Sequence, residues 1–516
     1  MDRRRVLQGM AAVTGIVLTN RTTRAWAANW QSPDNPFRLG VASGFPTDQS
    51  LVLWTMLAPD PLAPENGMPP VEIDVDWEIA TDERFRRIVA RGSAVATPAF
   101  THSVRVEVPG LAPARHYWYR FTAAGHRSRV GRSRTLPPAT SRTKALHIAV
   151  ANCQHYEHGN FAAFAHIAAA APDLILHLGD YIYEGAPVKD RVRAHVGTLC
   201  RTLADYRQRY TLYQLDPALQ DAHAAAPWLS TWDDHEVAND YSGIYSGRSE
   251  EPAVFLARRT AAYQAYFEHM PLPPSATPRG SETPIFARRS VGSLATIHML
   301  DRRQYRSAQA CALPNRAGGN RAEDSCTERL QADRTMLGTV QEAWFDAGLA
   351  SSRAQWTLIA QGTIMQQVDQ QPGEQRAWAT DDWDGYPAAR ARLLATLQRQ
   401  RVTNPVVLSG DIHAFMVGGI HAMPEQPDSP LLAPEFVATS VSTDPRPQQQ
   451  FDEWRAENPD LLLAEGRYRG YLSLQIAPQR LQADLIALQD GQDARSDQRV
   501  LQSYVVEAGS PRILQA

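Results

Sequence analysis

The sequence has no strong excess of charge of either sign, because its 52 lysines and arginines nearly balance its 55 aspartates and glutamates and leave a net charge of −3. Without a basic field the chain is not expected to bind nucleic acid specifically or to adhere to an anionic membrane. A long apolar run is also missing, since the apolar stretch at residues 10–19 is about half of the ~20 residues that span a bilayer. No stable membrane span is therefore predicted.

Cysteine is scarce, with four residues in the chain. Cys311 and Cys326 flank a polar loop rich in glycine, which predicts a local disulfide in an exported protein. For Cys153 and Cys200 two interpretations stay open: they pair with each other, or Cys153 serves as a metal ligand.

The first residues indicate export. The arginine run at residues 3–5 precedes the short apolar stretch, and Ala25-Trp26-Ala27 has the small-residue pattern of a cleavage site. Paired arginines before x-Val-Leu favour the twin-arginine translocase as the export partner. We therefore predict a twin-arginine signal peptide over residues 1–27 and a periplasmic or secreted protein.

A chain of 516 residues exceeds what one hydrophobic core usually organises, so two domains are predicted. Residues 71–79 and 104–108 alternate between apolar and polar side chains, and a Gly-Leu-x-Pro turn then leads into the aromatic strand at residues 116–121. This pattern predicts an N-terminal β-sandwich over residues 36–136 that is similar to a fibronectin type III domain.

Beyond the Pro137-Pro138 linker, strands and helices alternate, beginning with a strand at 145–150, a helix at 160–171 and a strand at 174–178. Further strands are predicted at 228–232, 294–300, 356–360 and 405–408, and an antiparallel hairpin at 472–486. Repeated crossovers indicate a layered α/β domain over residues 144–505.

Potential metal ligands follow the predicted strands of this domain, and they are listed in chain order: Cys153, Asp180 with Tyr183, Asp234, and Asp411 with His413. Each has an ordinary alternative, such as a helix cap or a satisfied core residue. The carboxyl ends of strands, however, are where ligand-binding groups converge in α/β sheets. The set as a whole predicts a metal site.

The mixture of ligand types suggests two unlike ions. A two-metal hydrolase needs a carboxylate shared between the ions, and Asp180 is the natural bridge. The phenol of Tyr183 and the thiol of Cys153 require a strongly acidic ion such as Fe3+. Asp234 and Asp411 suit a hard ion such as Ca2+, Mg2+ or Mn2+.

Three motifs in this order, Gly179-Asp-x-x-Tyr183, Trp232-Asp-Asp-His-Glu236 and Ser409-Gly-Asp-x-His413, follow an Asn-Cys-Gln strand end and resemble the PhoD-type alkaline phosphatases. The resemblance extends over nearly the whole mature chain. It implies a calcineurin-like metallophosphatase fold, in which helices flank a two-sheet α/β sandwich.

The resemblance also implies roles for individual residues. Cys153, Asp180, Tyr183 and His413 match the iron site. Asp234 stands where relatives of the wider superfamily have an asparagine ligand, and Asp411 where they have a histidine. These carboxylates agree with Ca2+ beside Fe3+.

Four further assignments carry alternatives. His235 is the candidate general acid for the leaving group or, alternatively, binds the transferring phosphate. His155 matches a motif histidine of the wider superfamily that PhoD-type sequences often lack. Asn239 and Arg303 either contact phosphate or the second metal, or form structural hydrogen bonds.

These observations predict an exported, metal-dependent phosphoesterase in which a two-metal-activated hydroxide attacks small phosphate esters or phosphodiester polymers. The sequence leaves the preference for mono- or diesters open. A binding protein on a degenerate phosphatase scaffold is the alternative, but every ligand position is filled.

Overall fold

The protein is described by a computed structural model that covers residues 30–426 and 428–516, so the predicted signal peptide lies outside the described residues. The strands, in chain order, are β1 (Val41–Gly44), β2 (Leu51–Met56), β3 (Ile73–Ala80), β4 (Ile88–Ala96), β5 (Ser103–Val108), β6 (His116–Ala123), β7 (His126–Arg127), β8 (Gly131–Arg134), β9 (Leu146–Ala151), β10 (Leu174–His177), β11 (Trp228–Ser230), β12 (Ala287–Val291), β13 (Ala295–Met299), β14 (Arg321–Glu323), β15 (Trp356–Ala360), β16 (Ala377–Ala379), β17 (Pro405–Ser409), β18 (Phe415–His421), β19 (Leu431–Val437), β20 (Leu461–Glu465), β21 (Gly470–Ile476), β22 (Arg480–Leu488), β23 (Gln498–Glu507) and β24 (Ile513–Gln515).

The α-helices, in the same order, are α1 (Ala162–Ala170), α2 (Leu203–Gln214), α3 (Pro217–Ala225), α4 (Pro252–His269), α5 (Gly338–Ser351), α6 (Pro387–Arg399) and α7 (Gln448–Glu457). Their starts follow ordinary capping chemistry. Thr202 and Asp205 form a reciprocal capping box at α2, and Asp216 caps α3 just before its first-turn proline.

A ten-stranded mixed sheet runs in the order β24-β23-β22-β21-β9-β10-β11-β1-β2-β5, and its centre, β9-β10-β11-β1, is parallel. A seven-stranded sheet has the order β12-β13-β15-β17-β19-β18-β20. Apolar side chains of both sheets share one core, for example Leu176, Leu358 and Leu472. The predicted two-sheet α/β sandwich flanked by helices is confirmed.

The N-terminal region is also a β-sandwich, but one of its two layers belongs to the large sheet. A smaller sheet, β4-β3-β6-β7 with β8 beside β6, packs through Val75 and Tyr119 against Leu53 of β2. β1 pairs in parallel with β11, where Gly44 lies opposite Trp228. This pairing covers the edge that a free-standing sandwich would expose, so the two regions share a continuous sheet.

The local predictions can be compared with this fold. The βαβ unit β9-α1-β10 and the antiparallel hairpin β21-β22 are confirmed. The disulfide between Cys311 and Cys326 is also present, with their Cα atoms 6.1 Å apart. Cys153 and Cys200 are both buried and not bonded to each other, so the alternative in which they pair is wrong.

The described residues contain no helix that is both long and apolar enough to cross a membrane.

Candidate metal centre

The candidate ligands lie at the carboxyl ends of strands from both sheets. Cys153 follows β9, Asp180 follows β10, Asp234 follows β11, and Asp411 follows β17. The side chains of Cys153, Asp180 and Asp234 are almost inaccessible to solvent, with exposures of 1%, 1% and 3%. Because β9, β10 and β11 are adjacent and parallel, their ends deliver these groups to one place.

Several of these residues adopt left-handed backbone conformations, with φ of 54° at Cys153, 56° at Asp180, 69° at Asp411 and 60° at His413. Residues other than glycine rarely adopt this region, and such strain concentrates at functional sites. Gly179, with φ of 116°, is required for a second reason, since a Cβ there would lie 2.4 Å from the backbone nitrogen of Asp233. At Gly179 the turn after β10 therefore packs directly on Asp233 in the turn after β11.

The first group of donors consists of the Cys153 thiol, an Asp180 carboxylate oxygen and a His413 ring nitrogen, which all lie within 4.8 Å of one another. The Tyr183 hydroxyl lies 2.9 Å from Asp180 Oδ2 and 3.3 Å from His413 Nε2. Thr443 Oγ1 is 2.9 Å from the same phenol oxygen. Burial, followed by the charge of Asp180, raises the pKa of both Cys153 and Tyr183, so in the absence of a cation both are protonated.

The second group is made of carboxylates, and it overlaps the first at Asp180. Asp180 and Asp234 form one compact set of donors with His235, and Asp234 and Asp411 form another with Asp233. Burial and neighbouring carboxylates raise the pKa of Asp180 well above its usual value and that of Asp411 to about 7.

A cation would fit this arrangement. Asp234 Oδ1 is buried without a hydrogen-bond partner among the described residues, and several carboxylates repel one another around it. A buried charge is costly unless it is paired or coordinates a metal. Bound metal ions therefore best explain why these donors lie together in the interior. The thiol, phenol, carboxylate and imidazole groups suit a transition metal, while the carboxylates suit a hard cation.

Arginines compensate part of the charge on the carboxylate side. Asp233 accepts hydrogen bonds from Arg302 and Arg303, both fully buried. Arg303 also binds Asp381 at 2.7 Å and approaches Asp234 Oδ1 to 3.5 Å. The N–H groups of Arg303 are directed at these carboxylates and at the Tyr241 carbonyl. Such contacts are typical of a residue that forms structural hydrogen bonds, which is the alternative to its binding phosphate or the second metal.

His235 is held by a carboxylate that motif reasoning left without a role. Its Nδ1 lies 2.7 Å from Glu184 Oε2, and the backbone N–H of Asn239 donates to the other oxygen of Glu184 at 2.9 Å. Burial alone would lower the pKa of His235, but Glu184, Asp234 and Asp180 outweigh it and raise the pKa well above its usual value. Without a cation, these carboxylates therefore favour the protonated imidazole.

Glu236 joins the two central turns. Its carboxylate accepts backbone N–H groups from Asp180 at 3.1 Å, Tyr181 at 2.6 Å and Asp233 at 2.9 Å, and it is fully buried. Because these donors belong to the turns after β10 and β11, one side chain fixes the separation of the two turns.

His155 lies beside the first group of donors rather than within it. Its ring stacks on His158 with centroids 3.7 Å apart and tilts against Tyr183 at 4.3 Å. A ring nitrogen of His155 clusters instead with Glu157 and His195. Burial, with smaller effects from neighbouring histidines, lowers its pKa strongly, so His155 packs as a neutral ring against the tyrosine.

A cavity of about 500 Å³ opens onto the centre. His235, Asn239, Asp411 and His413 line its inner end. Asn239 therefore reaches the space that a substrate would enter, although its side-chain amide donates to Asp240.

Sequence reasoning missed several residues of the site: Glu184, Glu236, Asp240, Asp381 and Thr443. Glu236 ends the second recognised motif and Glu184 directly follows the first, and their position near a ligand was the available signal. Asp381 and Thr443 lie outside every motif and reach the site only through the fold.

A two-sheet α/β sandwich whose strand ends gather these donors defines a metallophosphatase, a phosphoric ester hydrolase. The PhoD-like phosphatase family model matches residues 148–485, and the model of the PhoD-like phosphatase N-terminal domain matches residues 22–137. The chain belongs to the PhoD-like phosphatase family, which is metal-dependent.

Individual relatives agree with this assignment. The chain is 39% identical to alkaline phosphatase D of Bacillus subtilis (strain 168) in an alignment over 498 residues that covers 94% of this chain and 84% of the relative. A solved structure of PhoD superposes with a TM-score of 0.90 at 38% identity and covers 94% of this chain and 93% of its own.

Proposed function

We propose that this protein hydrolyses phosphate mono- or diesters outside the cytoplasm, with two unlike ions bridged by Asp180. The observation that carries the proposal is the position of Asp180, whose carboxylate belongs to both groups of donors. A carboxylate shared in this way is the feature that a two-metal hydrolase requires. The similarity to alkaline phosphatase D supports the same reaction class.

Fe3+ is proposed for the group formed by Cys153, Asp180, Tyr183 and His413. Ca2+ is proposed for Asp180, Asp234 and Asp411, with Mg2+ or Mn2+ as alternatives for this hard-cation position. When bound, the ions would supply the Lewis acidity that activates water and offsets charge on the phosphoryl group.

His235 is proposed as the general acid. Because Nδ1 is engaged by Glu184, Nε2 is the nitrogen left to donate a proton to the leaving oxygen. Glu184 keeps the imidazole charged and in a fixed orientation. Asn239, which lines the same cavity, is proposed to bind a phosphoryl oxygen through the side-chain N–H that it does not donate to Asp240.

The domain boundaries belong to the proposal as well: a signal peptide at residues 1–27, a β-sandwich at 36–136 and the metallophosphatase domain at 144–505. Export by the twin-arginine route is supported by the arginine motif of residues 3–5. Since that route carries folded proteins, the metals would be loaded before translocation.

The reaction class is tested by measuring initial rates on p-nitrophenyl phosphate and bis-p-nitrophenyl phosphate with enzyme whose metals are quantified. We expect hydrolysis that follows the metal content. On glycerol 3-phosphate, an alkyl ester whose leaving oxygen needs a proton, His235→Asn should lose about a hundredfold or more of the rate. A partly buried histidine of β7 away from the cavity, His126, offers a matched control in His126→Asn, which should retain full rates. Metal-loaded enzyme that hydrolyses neither ester would contradict the proposal.

A further inference from the structure

The outer part of the cavity differs in charge from its inner end. Arg316 and Arg321 line it from the disulfide loop, and Arg446, which precedes α7, lines it as well. In the described parts of the chain, none of these three guanidinium groups has a carboxylate within ion-pair distance, whereas Arg302 and Arg303 are engaged with aspartates. Arg316 donates to the carbonyls of Gly318 and Gly319, which hold its side chain without neutralising its charge. The outer wall therefore carries positive charge that no carboxylate pairs at close range.

The loop that carries Arg316 and Arg321 is held in place. The Cys311–Cys326 disulfide closes it at its base. Near its centre, the backbone N–H of Asn320 donates to Thr380 Oγ1 at 3.0 Å, and Gly319 packs so closely on Asp240 that a Cβ would lie 2.2 Å from a carboxylate oxygen. The wall is thus part of the folded site.

Asn320 contributes an independent feature. Its side-chain N–H donates to the Arg316 carbonyl at 3.1 Å, which fixes the orientation of the amide. Its Oδ1 is buried without a partner among the described residues, and the residue is 4% exposed and lines the cavity. A buried acceptor without a partner costs free energy unless a ligand or water donates to it.

We propose that this outer wall is a second anion subsite, in which Arg316, Arg321 and Arg446 bind a negatively charged group of the substrate other than the phosphoryl group being transferred. Asn320 Oδ1 accepts a hydrogen bond from a hydroxyl group between the two charges. The subsite rests on the proposed function, because the inner end of the cavity is where the transferred phosphoryl group would bind. Preferred substrates are hydroxylated phosphate esters with a second anionic group, either a phosphate or a carboxylate.

The kinetic test compares three esters that share a glycerol-like frame and keep its C2 hydroxyl: glycerol 3-phosphate, 3-phosphoglycerate and glycerol 1,3-bisphosphate. The first lacks a second anion, the second carries a carboxylate, and the third adds a phosphate. At low ionic strength we expect kcat/KM to be about tenfold higher for at least one of the two more charged esters, and this advantage to shrink with added salt. The ester with the larger increase in kcat/KM identifies the anion that the subsite prefers.

The variant Arg316→Ala/Arg321→Ala should reduce that selectivity ratio by about tenfold, and Arg316→Lys/Arg321→Lys should recover part of it because lysine keeps the charge but loses the planar fork. The control variant Arg87→Ala removes an exposed arginine from the connection between β3 and β4 and should leave the selectivity ratio unchanged. A general folding defect would lower all three rates together and leave the ratio intact.

A binding measurement separates the subsite from the reaction. Propylphosphonate and 3-phosphonopropionate cannot be hydrolysed, and they differ by one carboxylate. Calorimetric titration of the metal-loaded protein should show tighter binding of 3-phosphonopropionate in the wild type, with the difference lost in Arg316→Ala/Arg321→Ala. Equal affinities in the wild type would overturn the subsite even if esters are hydrolysed. The predicted difference in an enzyme that hydrolyses no ester would uphold the subsite and overturn the proposed reaction.

Discussion

The two sides of the metal centre differ in how their charge is managed. On the carboxylate side, Arg302 and Arg303 hold Asp233 in place through buried ion pairs, and Arg303 also binds Asp381. On the other side, the donors Cys153 and Tyr183 are neutral until they lose a proton, and Thr443 contacts the phenol.

This difference bears on metal selection. On the carboxylate side, buried arginines order Asp233 and Asp381 without a cation. We therefore expect a weakly held hard cation to exchange there without loss of this arrangement. The thiol and phenol side must be deprotonated to bind, which only a strongly acidic ion can achieve. We therefore expect iron to be retained and the hard cation to exchange.

The largest effect should come from Asp180→Asn, which removes the carboxylate common to both sides. We expect kcat to fall by about a thousandfold or more and both metals to decline in elemental analysis. Asp221→Asn, an exposed aspartate on α3, is the matched control and should keep full activity. If Asp180→Asn keeps both metals and full activity, Asp180 does not bridge the two ions.

Chelation should separate the two sides. Dialysis against a calcium-selective chelator at neutral pH should abolish activity, and added Ca2+ should restore it, while iron content stays constant. The measurement is the rate and the metal content of the same samples. If iron leaves together with calcium, or if activity survives complete calcium removal, the proposed contrast between the sides is wrong.

Much of the fold could be predicted because the central strands are continuous apolar runs, such as residues 174–178, that are buried on both faces. The pairing of β1 with β11 could not be predicted, because β1 has only four residues and its partner lies nearly two hundred residues further along the chain. Likewise, the sequence contains no sign that the smaller N-terminal sheet packs on strands of the large sheet.

The candidate ligands could be grouped from sequence because each follows a strand, and the structure brings Cys153, Asp180 and His413 within 4.8 Å. The residues that set the charge and orientation of the site's side chains could not be predicted from the sequence. Asp381 lies in no motif, and Glu184 directly follows one but faces His235 only because the turns after β10 and β11 meet. Such long-range contacts are set by packing, which residue patterns do not encode.

Glu184→Gln should have an intermediate effect. The amide can still contact His235 but carries no charge to stabilise the imidazolium. We expect kcat to fall by about ten- to a hundredfold for esters with alkyl leaving groups and by much less for p-nitrophenyl phosphate, whose leaving group needs little protonation. Equal losses for both kinds of ester would argue against His235 as the general acid.

The smallest effect on chemistry, but a clear one on stability, is expected for Glu236→Gln. Its carboxylate accepts three backbone N–H groups, and replacing one acceptor oxygen with an NH2 group leaves a buried N–H unsatisfied at a cost of about 1–3 kcal/mol. Denaturant unfolding of the metal-free protein measures this loss. Gln450→Ala, at a partly exposed position of α7, is expected to change stability by less than about 0.5 kcal/mol.

The central claim is that Asp180 bridges two unlike ions, one of them ferric and bound by Tyr183. It is tested most directly by elemental analysis and visible absorption of the enzyme purified after export, beside Tyr183→Phe. We predict iron together with calcium in the wild type and a charge-transfer band in the visible range that Tyr183→Phe loses or shifts strongly. A colourless, iron-free enzyme that hydrolyses phosphate esters at full rate would contradict the account.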